Sequence, residues 1–202
     1  MKKQSGFTLI ELMVTLVIIG VLFSVAGPSL TNSMTEKQLV ATTNDLLSSL
    51  HIARSEAIKL NKRVTICASD NGTNCSNSPN WEDGWIVFVD ATGAAGGAAA
   101  ACADATSDCL LRVHDAIDQS SLTIRGLDQD SADVESFTFT SRGLPKDVNG
   151  TGRSGVFSIC VKDSGDDDYF RAIALSFSGR VRISDNETVI SSNTNSNVIA
   201  CP

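Results

Sequence analysis

From Phe7 to Leu30 the only charge is Glu11, and the rest of the run is largely apolar. A helix needs about 20 apolar residues at ~1.5 Å rise to cross a bilayer core, so this stretch predicts a membrane-spanning helix. Lys2 and Lys3 precede it and favour a cytoplasmic N-terminus with the rest of the chain outside. Beyond Pro28 the pattern turns amphipathic. Leu39, Thr43, Leu46, Leu50, Ala53, Ala57 and Leu60 recur at steps of four and three, while Glu36, Lys37, Asp45, Arg54, Glu56 and Lys59 fall largely elsewhere. One helix from Phe7 to about Asn61 would be ~80 Å long, its second half packed by this stripe on a sheet.

After Asn61 the period shifts toward two. Residues 63–69, 84–90, 110–113, 122–126, 136–141, 155–161, 171–176 and 180–184 read as strands separated by Gly, Asn, Asp and Ser. Asn71-Gly72 and Asn149-Gly150 mark turns. With short spacings and no later helical period, antiparallel sheets stacked on the helix follow, an α+β architecture. Trp85, Val87, Val89, Phe137 and Phe139 alternate inward and are assigned to the core. Two segments fall outside the pattern. The Ala/Gly-rich piece 91–105 can bury little and reads as a loop, and Asp166-Asp167-Asp168 reads as a solvated acidic loop, because EF-hand spacing is missing.

Composition sharpens the picture in two respects. The formal net charge is −7, and loss of Lys2 and Lys3 takes the side chains to −9, so any nucleic-acid binding must come from a local patch. All six cysteines follow the apolar run, which places them in an oxidising compartment and favours disulfides. Six cysteines allow 15 pairings; proximity favours Cys67–Cys75 and Cys102–Cys109, leaving Cys160–Cys201. No C-x-x-C occurs and His51 and His114 stand alone, so neither a metal nor another cofactor is expected. A hydrolase-type enzyme is disfavoured as well, for want of a nucleophile elbow or a credible base.

The N-terminal run admits three readings: a secretory signal cut after Ser24-Val25-Ala26, a plain anchor, or a polymerisation helix. Local order bears on the choice. Basic residues, Gly6, then Phe7-Thr8-Leu9-Ile10-Glu11 resemble the leader of type IV prepilins and pseudopilins. The resemblance implies cleavage after Gly6 by a prepilin peptidase and methylation of Phe7. It also implies pairing of Glu11 with the amino terminus of a neighbouring pilin and a proline, Pro28, that kinks the rod. A carboxylate in hydrocarbon costs a few kcal/mol, which fits a functional Glu11. The chain then divides into a leader (1–6), a transmembrane and polymerisation half-helix (7–30) and a periplasmic head (31–202). A single pass through the inner membrane is expected first, then a place in a pilus at the cell surface among major and minor pilins.

In the head, His51 to Lys59, Val64 to Cys67, Trp81 and Gly84 to Asp90 resemble the GspH/FimT family of minor pilins and pseudopilins, over nearly the whole chain. The resemblance implies a type IV pilin-like fold, a long N-terminal helix packed on two antiparallel sheets. FimT-like members are minor pilins, some of which bind DNA for uptake in natural transformation; GspH-like members sit near the tip of the type II secretion pseudopilus. Ser178-Gly179-Arg180-Val181-Arg182 is similar to the Gly-Arg-x-Arg motif of the DNA-binding members, which puts DNA contact on Gly179, Arg180 and Arg182. On a strand these two arginines share a face ~6.6 Å apart and can fork onto successive phosphates. Arg171 is expected nearby if its strand pairs with theirs, and Arg153 and Lys162 enlarge the candidate patch. The same charges would suit an edge strand that resists sheet-to-sheet pairing, and Asp185 and Glu187 follow closely. The expected DNA interaction is weak and independent of sequence; the alternative is a GspH-like pseudopilin with no DNA ligand.

Overall fold

The computed structural model describes residues 7–91, 93, 109–118, 122–130, 132–147, 150–161 and 169–184, with residues 23–33, 169 and 184 described in the backbone only. A single helix α1, Leu9–Leu60, opens the chain. Thr8 caps it: the Thr8 carbonyl accepts from the Leu12 amide (3.3 Å) and its hydroxyl from the Glu11 amide (3.3 Å). Glu11 thus occupies the third position of a Thr-x-x-Glu capping sequence, where a negative charge also suits the helix dipole. Helical backbone continues through Pro28. The described side chains from Phe7 to Leu22 are all exposed, and among the described residues no helix is long and apolar enough to cross a membrane.

The chain resolves into two compact units, Met1–Gln38 and Leu39–Pro202. The second contains all the strands. They are β1 (Val64–Ala68), β2 (Trp85–Val89), β3 (Cys109–His114), β4 (Leu122–Asp128), β5 (Ser136–Phe139), β6 (Pro145–Lys146), β7 (Gly155–Val161), β8 (Tyr169–Leu175) and β9 (Val181–Ser184). One sheet has the order β3-β2-β1-β5-β6, the other β4-β7-β8-β9, and every pairing is antiparallel. Each strand expected from alternation is present, with ends shifted by at most two residues. β6 was not expected, nor was the 3-10 turn Trp81–Asp83.

One apolar interior joins these elements. The helix contributes Leu39, Leu46, Leu50, Ala53 and Ala57, all buried, with Thr43 beside them; Leu60 is partly buried at the end of the stripe. Ala53 and Ala57 are the small members of the stripe, and both are fully buried. From the sheets come Phe137, Phe139, Phe157 and Ile173, and Trp81 meets Phe157 edge to face at 4.8 Å. The two buried indole nitrogens are satisfied: Trp81 Nε1 donates to the Val134 carbonyl (2.9 Å) and Trp85 Nε1 to Ser49 Oγ (3.0 Å). The outer face of the first sheet is covered as well. Cys67, Ile86 and Phe88 form a buried group there with Cys75 and Leu110, and the Cys67–Cys75 disulfide closes the loop above it. Cys109 and Cys160 are each disulfide-bonded. Cys102 and Cys201, the expected partners, lie outside the described residues, as do 94–108 and the Asp166–Asp168 loop.

Phe157 contacts both Trp81 and Phe137, and its truncation leaves a void at the centre of the head. Phe157→Ala is expected to lower the unfolding free energy of the head by about 3–5 kcal/mol in urea titrations. Phe177→Ala, at a 55% exposed site, should change it by no more than about 0.5 kcal/mol.

Candidate nucleic-acid interface

Two hairpins end in the same kind of turn. Between β5 and β6, Ser141-Arg142-Gly143 is closed by Thr140 and Leu144, the Thr140 amide donating to the Leu144 carbonyl at 3.0 Å. Between β8 and β9, Phe177-Ser178-Gly179 is closed by Ser176 and Arg180, the Ser176 amide donating to the Arg180 carbonyl, again at 3.0 Å. In both, the first residue's hydroxyl donates to the carbonyl across the turn and accepts from the same residue's amide: Thr140 with Leu144, Ser176 with Arg180. Both also place a glycine in the left-handed region, Gly143 at φ 71° and Gly179 at φ 74°. Three-residue hairpin loops require such a residue, and glycine takes it without steric cost.

The two turns are pressed together. A Cβ on Gly179 would collide with the Gly143 carbonyl oxygen, so the second turn meets the first through main-chain atoms. Arg54 on α1 fastens the joint: its Nε donates to the Gly143 carbonyl (3.2 Å) and its Nη2 to the Ser178 carbonyl (3.3 Å). A planar fork with fixed donor directions suits that task, and lysine would not reproduce it.

This geometry orders the expected DNA residues. Gly179 is buried and serves the joint. Arg180 and Arg182 are exposed and flank Val181, which packs on the core, so the two arginines share the outer side of the edge strand β9. Arg171 departs from the expectation. Its strand does pair with β9, but Arg182 lies opposite Ala174, and Arg171 alternates with Ile173 and Leu175 on the other face, beside Ile159. Arg153 faces Asp128 at 3.6 Å, which offsets its charge locally. Lys162, Asp185 and Glu187 lie outside the described residues. Arg54, Arg142, Arg180 and Arg182 have no carboxylate partner among the described residues. Sequence reasoning missed Arg54 and Arg142. The repeated Ser/Thr-x-x-Gly at Thr140–Gly143 and Ser176–Gly179 is a signal that the two turns are alike, but not that they touch.

Among the described residues no group of three or more His, Cys, Asp or Glu could hold a metal ion. His114 is a packed residue, stacked on Trp85 at 3.7 Å with Asp45 Oδ2 3.6 Å from its Nε2; His51 is exposed.

A long N-terminal helix on two antiparallel sheets defines a type IV pilin-like fold, a structural component rather than an enzyme. The chain belongs to the family described as Type II transport protein GspH, whose profile matches residues 42–179, and residues 1–27 match the prokaryotic N-terminal methylation motif. That motif marks a membrane-anchored, pilus-associated protein. Among solved structures, the chain is similar to the type IV minor pilin FimU of Pseudomonas aeruginosa in space group P21. The two share 26% identity, with 74% of this chain and 90% of that one covered and a TM-score of 0.52. FimU in space group P65 matches at 26% identity over 71% and 90%, with a TM-score of 0.49. No curated protein matches the sequence. The role established by family and fold is that of a minor type IV pilin or pseudopilin, assembling with other pilins.

Gly179→Ala is expected to cost more than the about 1–3 kcal/mol of an unfavourable φ, because the methyl also meets a carbonyl. Gly150→Ala, at φ 85° with open space around it, should cost the φ alone. Paired urea midpoints separate the two.

Proposed function

We propose that this chain is a minor type IV pilin whose head binds DNA weakly and without sequence preference, serving uptake in natural transformation. The observation that carries the reading is the exposed couple Arg180 and Arg182, without a carboxylate partner among the described residues and presented by an edge strand and a braced turn. Guanidiniums held in this way suit phosphate oxygens, which position a protein on DNA but carry no sequence information. The overall charge of −7 opposes a broad electrostatic footprint, so binding is confined to this patch. Several copies on one fibre would add avidity.

In this reading a prepilin peptidase cuts after Gly6 and Phe7 is methylated. The apolar half-helix, residues 7–30, holds the protein in the inner membrane with residues 31–202 in the periplasm until assembly. Glu11 pairs with the amino terminus of an adjacent subunit, and Pro28 marks the start of the head-bound half. The match to Type II transport protein GspH supports a second reading, a minor pseudopilin of a type II secretion system with no DNA ligand. A gene neighbourhood of pilus or of secretion components separates the two.

Fluorescence anisotropy of the full chain in detergent, with labelled DNA, is expected to show binding at low salt and a log–log salt slope of about −2 to −4. Arg180→Gln with Arg182→Gln should remove most of it; undiminished binding in the double variant would exclude the motif. Mass spectrometry of the mature protein is expected to find methylated Phe7 at the N-terminus, whereas an N-terminus at Gly27 would indicate a cleaved secretory signal.

A further inference from the structure

The joint between the two turns brings a third arginine to the surface that carries Arg180. Arg142 is exposed and directly precedes Gly143; Arg180 directly follows Gly179. The Gly143 carbonyl abuts Gly179, and consecutive Cα atoms are 3.8 Å apart. The Cα atoms of Arg142 and Arg180 are therefore no more than about 14 Å from one another, although 38 positions separate them in sequence. That bound is within the reach of two long arginine side chains onto phosphates of one DNA strand. We propose that Arg142 is a further phosphate-contacting residue of the DNA-binding surface, presented beside Arg180 by the Gly143–Gly179 joint. This rests on the DNA-binding reading given above.

Three observations favour a ligand over a structural role. Arg142 makes no hydrogen bond and no ion pair among the described residues, so the fold does not use its charge. Neither turn, Thr140–Leu144 or Ser176–Arg180, contains an acidic residue. Beneath both lies Arg54, whose donors end on main-chain carbonyls, so a further positive charge stands behind the pair with no carboxylate partner among the described residues. The phosphodiester backbone fits because it offers anions in series, as the arginines are arranged. Arg54 acts chiefly as a positioning residue, holding the two turns in register.

The test compares the full chain in detergent with Arg142→Gln and with Arg112→Gln, using the same labelled duplex DNA from 50 to 200 mM salt. Arg112 serves as the charge control: it lies on β3, at the far edge of the first sheet from β6, and donates to Ser48 Oγ at 3.2 Å. Arg142→Gln is expected to weaken binding roughly three- to tenfold and make the salt slope shallower by about 0.9, the share of one phosphate contact. Arg112→Gln should leave the slope unchanged. An Arg142→Gln slope equal to wild type, with Arg180→Gln and Arg182→Gln still abolishing binding, overturns the inference and leaves the DNA reading standing. Equal losses in Arg142→Gln and Arg112→Gln overturn it too, since net charge would account for both. Absence of DNA binding by the wild-type chain at 50 mM salt overturns the reading and the inference together.

Discussion

Among the described residues the two sheets share no hydrogen-bonded strand, so the head depends on an apolar interior to which the helix stripe and both sheets contribute. That requirement explains the composition of the stripe. Leu39, Leu46 and Leu50 fill volume, and Ala53 and Ala57 complete the buried face with little bulk. It also explains the aromatic group Trp81, Phe137 and Phe157, which bridges the 3-10 turn and both sheets. Burial of this kind is non-directional and leaves orientation to polar contacts. Trp85 to Ser49, Trp81 to Val134 and Glu82 to the Ile124 amide and Arg125 supply it.

Much of this was legible in the sequence because it is periodic. Steps of three and four marked the stripe and alternation marked the strands, and both periods follow from backbone geometry alone. β6 escaped because Pro145 and Lys146 are too few to show a period. The helix cap at Thr8 went unremarked beside the stronger apolar signal, yet it gives Glu11 a local electrostatic reason to stand where it does, in addition to any role in assembly.

The candidate site was legible only in part. Arg180 and Arg182 could be placed on one side because they lie two residues apart. Arg171 needed the parity of the pairing across a three-residue loop, which sets Leu175 against Val181 and turns Arg171 to the opposite face. Arg153 needed knowledge of Asp128. Arg142 and Arg54 meet the motif only through a contact between main-chain atoms of distant turns, and no side-chain pattern announces such a contact.

The Gly143–Gly179 joint has a consequence for how such heads diversify. Its bonds run between carbonyls, one guanidinium and two residues without side chains, so the positions between them, Ser141, Arg142, Phe177 and Ser178, carry no share of the connection through their side chains apart from the Ser178 hydroxyl beside Ser176. Their chemistry can drift while the frame stays put. The paired turns are in effect a mount with exchangeable fittings, on which an ancestral scaffold can acquire or lose a ligand without refolding its core.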